Sequence, residues 1–134
     1  MDYSKLTDAE LDERAAKCMG WKKKDCPQYN GSWWVDAAGV FQPIVEDWCP
    51  STVPADAFRF MEHALKERQA HENGWWEAQI VPLSYCGGTL WRCRVVMDGG
   101  EHMREAIAPT LSRAITEALV AAYEAEKGEQ DEQS

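Results

Sequence analysis

Apolar residues at helical spacing mark three segments of the chain. The first segment follows a capping box formed by Thr7 and Glu10 and ends at Gly20. The second begins near Pro54, and the third runs from about residue 109 to residue 126 with apolar positions every three to four residues. The predicted buried stripe of the second segment consists of Ala57, Phe58, Met61, Ala64 and Leu65. The pattern predicts three helices.

Between these helices, short β-prone runs predict two hairpins. The first joins "WWV" through the turn "DAAG" to "VF", a segment that could also be a strand with a decorated loop, and the second joins "WWEAQIVPL" through "SYCGG" to "TLWRCRVVM". No internal repeat or linker interrupts the chain. We therefore predict an α+β fold in which one antiparallel sheet is sandwiched between helices, in the order α-β-β-α-β-β-α. Residues 1–126 would form this single ABA-sandwich domain, and residues 127–134 an acidic, disordered tail.

The hydrophobic pattern also selects a register for the second hairpin. Opposite residues in an antiparallel pair share a face, and a shift of one residue exchanges the faces. The register that joins Trp76 and Ile80 to Cys93 and Val95 gives one wholly apolar face, so we favour it. The opposite face would then carry Trp75, Glu77, Gln79, Val81, Leu90, Arg92, Arg94 and Val96.

Two arginines on one sheet face admit three interpretations. Arg94 could form a cross-strand ion pair with Glu77 on a solvated face. Alternatively, a helix could roof the face, so that Arg92, Arg94, Gln79 and Trp75 line a pocket for an anionic, aromatic ligand such as a nucleotide. The third interpretation is a protein interface. Stacking of a base also makes two further residues candidates for the ligand site, namely Trp33 and Trp34.

Composition narrows the classes of partner. The net charge of −9 opposes broad contact with a nucleic-acid backbone, although Lys22, Lys23 and Lys24 form a local basic patch. No apolar run approaches the roughly 18 residues that suggest a transmembrane helix, and the N-terminus lacks the apolar core of a signal peptide. We therefore expect a cytoplasmic protein that binds neither nucleic-acid polymers nor membranes.

The sequence offers no recognisable catalytic or metal-binding motif. Its five cysteines include no C-x-x-C pair, its three histidines lack a metal-binding spacing, and no Gly-x-Ser-x-Gly is present. A disulfide or structural metal involving Cys26 and Cys49 is a minor alternative, since each precedes a proline. We predict no catalytic residue, no metal and no cofactor, and hence a protein that is not an enzyme.

Several short motifs resemble a known family. The stretches "LTDAELDERAAKCMGWKK", "WW" followed by "DAAG", "GWWEAQI" with "WRCRV", and "APTLSRAITEAL" are similar to the phage ABA-sandwich domain family over nearly the whole chain up to residue 126. The resemblance implies a small phage or prophage protein with a sheet between helical layers. It carries over no catalytic residue, and the stretch 26–31 is longer here than in that pattern.

That resemblance favours a phage-encoded binding protein acting in the host bacterial cell. The first hypothesis is a protein that sequesters a small nucleotide-derived immune signal, with Trp75, Arg92 and Arg94 at its site. The alternative is an inhibitor or accessory protein that binds a host protein through a tryptophan-rich surface. A nucleotide hydrolase is the third and least favoured. A homo-oligomer is expected with each hypothesis, because seven tryptophans in so short a chain favour self-association.

Overall fold

The computed structural model describes residues 2–26, 28, 31–69, 76–85, 88–97, 100 and 102–133. The fold is α+β, as predicted, and these described residues form three helices and two three-stranded antiparallel sheets. The helices are α1 (Asp8–Cys18), α2 (Pro54–Gln69) and α3 (Leu111–Gln133). The strands are β1 (Lys22–Cys26), β2 (Gly31–Val35), β3 (Phe41–Ile44), β4 (Glu77–Tyr85), β5 (Gly88–Met97) and β6 (His102–Ala108). Short 3-10 turns cover Tyr3–Lys5 and Val45–Asp47.

The strand count differs from the prediction. Each half of the chain contributes three strands, so the described order is α-β-β-β-α-β-β-β-α rather than α-β-β-α-β-β-α. The strands form two separate sheets, β1-β2-β3 and β4-β5-β6, instead of one. The order of elements and the single sheet between helical layers are therefore corrected, while the α+β class is confirmed.

The two additional strands lack a conventional alternating pattern. In β1, Lys22, Lys23 and Lys24 are all exposed, which suits an edge strand whose lysines discourage further pairing. In β6, Met103 and Ile107 face solvent, whereas the small residues at the buried positions pack against α3. A half-buried strand is usually recognised by large apolar residues on its core side and polar residues on its solvent side. In β6 the large apolar side chains face solvent and alanines face the core, so this pattern is absent.

Both predicted hairpins are confirmed, and so is the favoured register. Ala78 lies opposite Val95 and Ile80 opposite Cys93, which directs Cys93 and Val95 into the core. The β2–β3 turn is held by the Asp36 carboxylate, which accepts hydrogen bonds from two backbone N–H groups in the turn. Local pairing and turn chemistry are thus sufficient to define these elements.

Helix α3 is the centre of the packing. It contacts β5 and β6 on one side and both α1 and α2, so a single hydrophobic core joins the three helices to both sheets. The predicted stripe of α2 is partly wrong, because Phe58 is 42% exposed whereas Phe60 is fully buried. Phe60 stacks on Tyr123 of α3 with ring centroids 5.9 Å apart. The buried face of α2 is therefore centred on Ala57, Phe60 and Ala64.

Helix α1 begins at the predicted capping box, in which Thr7 and Glu10 bond each other's backbone N–H groups. Helix α3, by contrast, continues to Gln133 rather than stopping near Glu126. The proposed division between a domain ending at 126 and a disordered tail from 127 remains a prediction.

One carboxylate of α1 is buried beneath the loop that precedes α2. Asp12 is largely inaccessible, and its Oδ1 accepts a hydrogen bond of 2.8 Å from the backbone N–H of Ser51. Burial raises the pKa of the Asp12 carboxyl above its ordinary value of 3.8, and the hydrogen bond from Ser51 opposes this shift only in part. The charged form of Asp12 is therefore disfavoured in the folded protein.

This raised pKa predicts a pH-dependent difference between the wild type and Asp12→Asn. The contribution of Asp12 to stability is fully present below pH 3.8 and is lost as the pH rises through the folded-state pKa, because the unfolded chain releases its proton first. Asp12→Asn keeps an oxygen that accepts the Ser51 N–H but does not ionise. Urea unfolding between acidic and neutral pH should show the variant gaining stability relative to the wild type as the pH rises. A constant or opposite difference would contradict the assignment.

Candidate functional site

The second sheet has one face that is open to solvent, here named the arginine face. It consists of Glu77, Gln79, Val81 and Leu83 of β4, Leu90, Arg92, Arg94 and Val96 of β5, and Met103, Glu105 and Ile107 of β6. The strand register arranges these side chains in rows across the three strands. One row is polar, with Arg94 between Gln79 and Glu105, and the next is largely apolar, with Arg92 between Val81 and Ile107.

In the polar row, the charge of Arg94 is already paired. Its Nε donates a hydrogen bond to Oε2 of Glu105 on β6 at 2.5 Å, and both side chains are about one-third exposed. The predicted partner, Glu77, lies instead opposite Val96. The cross-strand ion pair of the sequence interpretation therefore exists with a different glutamate, on the strand that the sequence pattern did not reveal.

In the apolar row, Arg92 makes no ion pair with any residue in the described ranges. It is half-buried, and its Nε is enclosed without a hydrogen-bond partner among those residues. Its two cross-strand neighbours are exposed, Val81 at 37% and Ile107 at 46%, and Met103 nearby is 45% exposed. Within the described residues, the face thus presents a positive charge without an ion-pair partner among accessible apolar side chains.

The other side of the same sheet is occupied by the core. Cys93, Val95 and Met97 of β5 and two alanines of β6 pack there with residues of α3. Burial raises the pKa of the Cys93 thiol to about 12, so this thiol stays protonated at neutral pH and is a poor nucleophile. The same cause raises the pKa of Cys18 to about 12.

The predicted site residues are only partly brought together. Arg92, Arg94, Glu77 and Gln79 share the arginine face, and Gln79 lies directly opposite Arg94. Trp75 lies outside the described residues.

The other two predicted site residues belong to the first sheet. Trp34 is buried in the core, whereas Trp33 is half-buried and stacks on Phe41 with centroids 5.8 Å apart. The two indoles point to opposite faces of that sheet, as expected for neighbours in a strand. Neither residue shares a sheet with Arg92 and Arg94.

The expected tryptophan-rich surface is not found among the described tryptophans. Trp21, Trp34, Trp48 and Trp76 are buried, and Trp33 and Trp91 are half-buried. The accessible apolar residues of the second sheet are aliphatic or sulfur-containing instead. Met103 and Ile107 were missed as site residues because β6 was not recognised, although their spacing of four along an alternating strand is a usable signal.

A cavity of about 590 Å³ lies between α2, Trp21 and the β2–β3 turn. Arg59 extends across it, with its guanidinium 5.4 Å from the Trp21 ring centroid, and donates a hydrogen bond to Gln42. Gln42 in turn donates to Asp36. Two further residues line the cavity: Lys66 pairs with Glu62, and Nε2 of His63 lies 3.1 Å from a carboxylate oxygen of Glu67, each one turn away on α2. Each of these side chains is already held by a neighbouring group, Arg59 by Gln42 and the Trp21 ring, which makes the cavity a weaker candidate for capturing a charged partner.

The described residues include no group of three or more His, Cys, Asp or Glu side chains arranged to hold a metal ion. Cys26 and Cys49 are both free thiols. Among the helices that the structure describes, none is long and apolar enough to cross a membrane.

No family model matches the chain, and a search of curated proteins finds no match. The resemblance to the phage ABA-sandwich domain family therefore remains a prediction.

Proposed function

We propose that the chain is a non-enzymatic binding protein whose arginine face docks a segment of another protein, one that presents a carboxylate between apolar side chains. The observation that carries this proposal is the guanidinium of Arg92, which makes no ion pair with any described residue and is set between the exposed side chains of Val81 and Ile107. Arginine is the residue type best suited to fork-like recognition of a carboxylate at an interface.

The openness of the face favours a protein partner over a small ligand. Small-molecule sites are usually concave and enclose most of the ligand surface. Here the side chains of Val81, Met103 and Ile107 are between about one-third and one-half exposed. Adjacent exposed apolar side chains are typical of a protein-binding surface. Arg and Met are also enriched at protein interfaces. The protein-binding alternative is therefore preferred for this face over capture of a nucleotide.

Charge arrangement favours a different protein over a second copy of the chain. A symmetric dimer formed through the arginine face would have a two-fold axis parallel to the sheet, running either along or across β5. In both cases β5 of one copy lies over β5 of the other. Both pairings bring Arg92 and Arg94 towards the same two arginines of the partner, and like charges in an interface are costly. Each copy also carries a net charge of −9. Homo-oligomerisation through another surface remains a separate prediction.

A displayed library of random peptides, selected on the full-length protein, tests the proposal. We expect the selected peptides to be enriched in Asp or Glu flanked by apolar residues. Synthetic versions should bind the Arg92→Gln variant at least about tenfold more weakly than the wild type, because a desolvated charge pair is lost.

Arg104→Gln is the matched control, since Arg104 lies opposite Val95 on the covered side of the same sheet. Thermal unfolding followed by circular dichroism establishes that both variants are folded. Peptides without acidic enrichment, or equal affinity for wild type and Arg92→Gln, would overturn the proposal. Enrichment of basic peptides instead would also contradict it.

A further inference from the structure

The outer face of the first sheet combines two lysines with a stacked aromatic pair, here named the Trp33 platform. It consists of Lys22, Lys24, Trp33 and Phe41. Lys24 lies opposite Trp33 in the β1–β2 register, and its Nζ is 5.8 Å from the centroid of the Phe41 ring. Phe41 is 44% exposed and Trp33 is half-buried, so the aromatic pair is accessible from solvent.

The three consecutive lysines of β1 are divided between the two faces of the sheet. Lys23 points to the face of Trp34, where its Nζ lies 3.4 Å from a carboxylate oxygen of Glu13. Lys22 and Lys24 point to the platform and make no ion pair with any residue that the structure describes. The nearest acidic residue of the strand, Asp25, shares the face of Lys23 and accepts a hydrogen bond from Ser32.

This separation of charge produces a local cationic surface on an acidic chain. A carboxylate neutralises the inward lysine, whereas the outward pair stays available beside aromatic rings. Ammonium groups bind phosphate oxygens, and indole rings stack on planar bases regardless of base identity. A ligand that contains both a phosphate and a base can use the ammonium groups and the aromatic rings at the same time.

We infer that the Trp33 platform binds a small nucleotide, with its phosphate at Lys22 and Lys24 and its base on Trp33. Among the described residues, the aromatic pair and the two lysines match a ligand of one base and one or two phosphates. The net charge of −9 disfavours a long polyanion, which would extend beyond the platform onto acidic surface. The inference is independent of the arginine face, because the two sites belong to different sheets.

Isothermal titration calorimetry with AMP, adenosine and ribose 5-phosphate separates the two parts of the site. Adenosine lacks the phosphate and ribose 5-phosphate lacks the base. We expect AMP to bind at least about tenfold more tightly than either fragment, and its affinity to fall as the salt concentration rises. An AMP affinity no greater than that of ribose 5-phosphate would overturn the role of the aromatic pair.

Variants locate the site on the chain. The double variant Lys22→Gln/Lys24→Gln should lose about tenfold in AMP affinity and keep its affinity for adenosine. Trp33→Leu should lower the affinity for both, whereas Trp33→Phe should retain most of it. Lys66→Gln is the matched control, since Lys66 is an exposed lysine of α2 paired with Glu62.

Two results would overturn the inference outright. One is unchanged AMP affinity in the double lysine variant, whose exposed substitutions leave the core intact. The other is binding of oligothymidylates with an affinity that increases steadily with length, since this would indicate a polymer-binding surface instead of a site for a small nucleotide.

Discussion

Arg113→Met is expected to lower the free energy of unfolding by about 3–5 kcal/mol, the cost typical of leaving one member of a buried ion pair alone. The Arg113 side chain is 13% exposed and donates to Glu117, which is only 7% exposed. It also donates to Asp8 and to the backbone carbonyls of Tyr3 and Leu6. Removal of the guanidinium would strand the Glu117 carboxylate and release the N-terminal segment from α3. Urea unfolding of wild type and variant at neutral pH measures the loss.

Two control variants isolate the cause. Replacing both partners in Arg113→Met/Glu117→Leu should recover much of the loss, because no unpaired buried charge remains. Arg14→Met breaks a different ion pair, with Glu124, and the two side chains of that pair are each about 30% exposed. That change should cost only about 0–1 kcal/mol. A loss in Arg113→Met no larger than in Arg14→Met would contradict the assignment.

Phe60→Ala is expected to destabilise the protein by about 3–5 kcal/mol, as for other truncations of a buried aromatic side chain. Phe60 has no accessible surface and stacks on Tyr123, so alanine would leave a cavity between α2 and α3. Phe58→Ala is the matched control on the same helix and should change stability by about 0.5 kcal/mol or less, because Phe58 is largely solvated. Thermal and urea unfolding measure both. Equal losses, or a larger loss at Phe58, would favour the stripe read from the sequence.

The features that sequence reasoning identified correctly are local. The Thr7–Glu10 capping box lies within one helical turn, and the register of β4 with β5 follows from alternation on two neighbouring strands. The prediction that Phe58 belongs to the buried stripe of α2 was wrong, because Phe60 occupies the core and both phenylalanines fit helical spacing. The difference lies in tertiary packing, since Phe60 belongs to the common core and stacks on Tyr123 of α3.

The missed features depend on contacts between distant segments. β1 was not predicted because three consecutive lysines carry no alternation, although pairing with β2 separates them by face. β6 was not predicted because its large apolar side chains face outward. The inward positions of β6 are alanines because α3 packs closely against them. The hydrophobic pattern of β6 alone does not reveal that contact.

The candidate site was half predictable for the same reasons. Alternation along β5 placed Arg92 and Arg94 on one face without knowledge of the fold. Their different roles follow from β6, which offers Glu105 to Arg94 and Ile107 to Arg92. Pairing neutralises one arginine and leaves the other among apolar side chains, so the two are not equivalent binding groups.

The two sheets therefore present different chemistry to solvent. The arginine face of the second sheet offers aliphatic side chains around the Arg92 guanidinium, which makes no ion pair with the described residues, and this suits a carboxylate-bearing protein segment. The first sheet offers ammonium groups beside stacked rings, which suits a small nucleotide. Because the two surfaces use different residues, a variant in one should leave the other function intact. The lysine and arginine variants can thus serve as controls for each other.

The most direct test of the proposed function is a charge exchange at Arg92. An acidic peptide selected on the wild type and its Glu→Lys counterpart are each titrated against the wild type and Arg92→Glu, by fluorescence anisotropy. We expect the affinity of Arg92→Glu for the acidic peptide to be at least about tenfold lower than that of the wild type. The same variant should bind the lysine peptide more tightly than the wild type does. Equal affinity of wild type and Arg92→Glu for the acidic peptide would contradict a carboxylate-binding role for the arginine face.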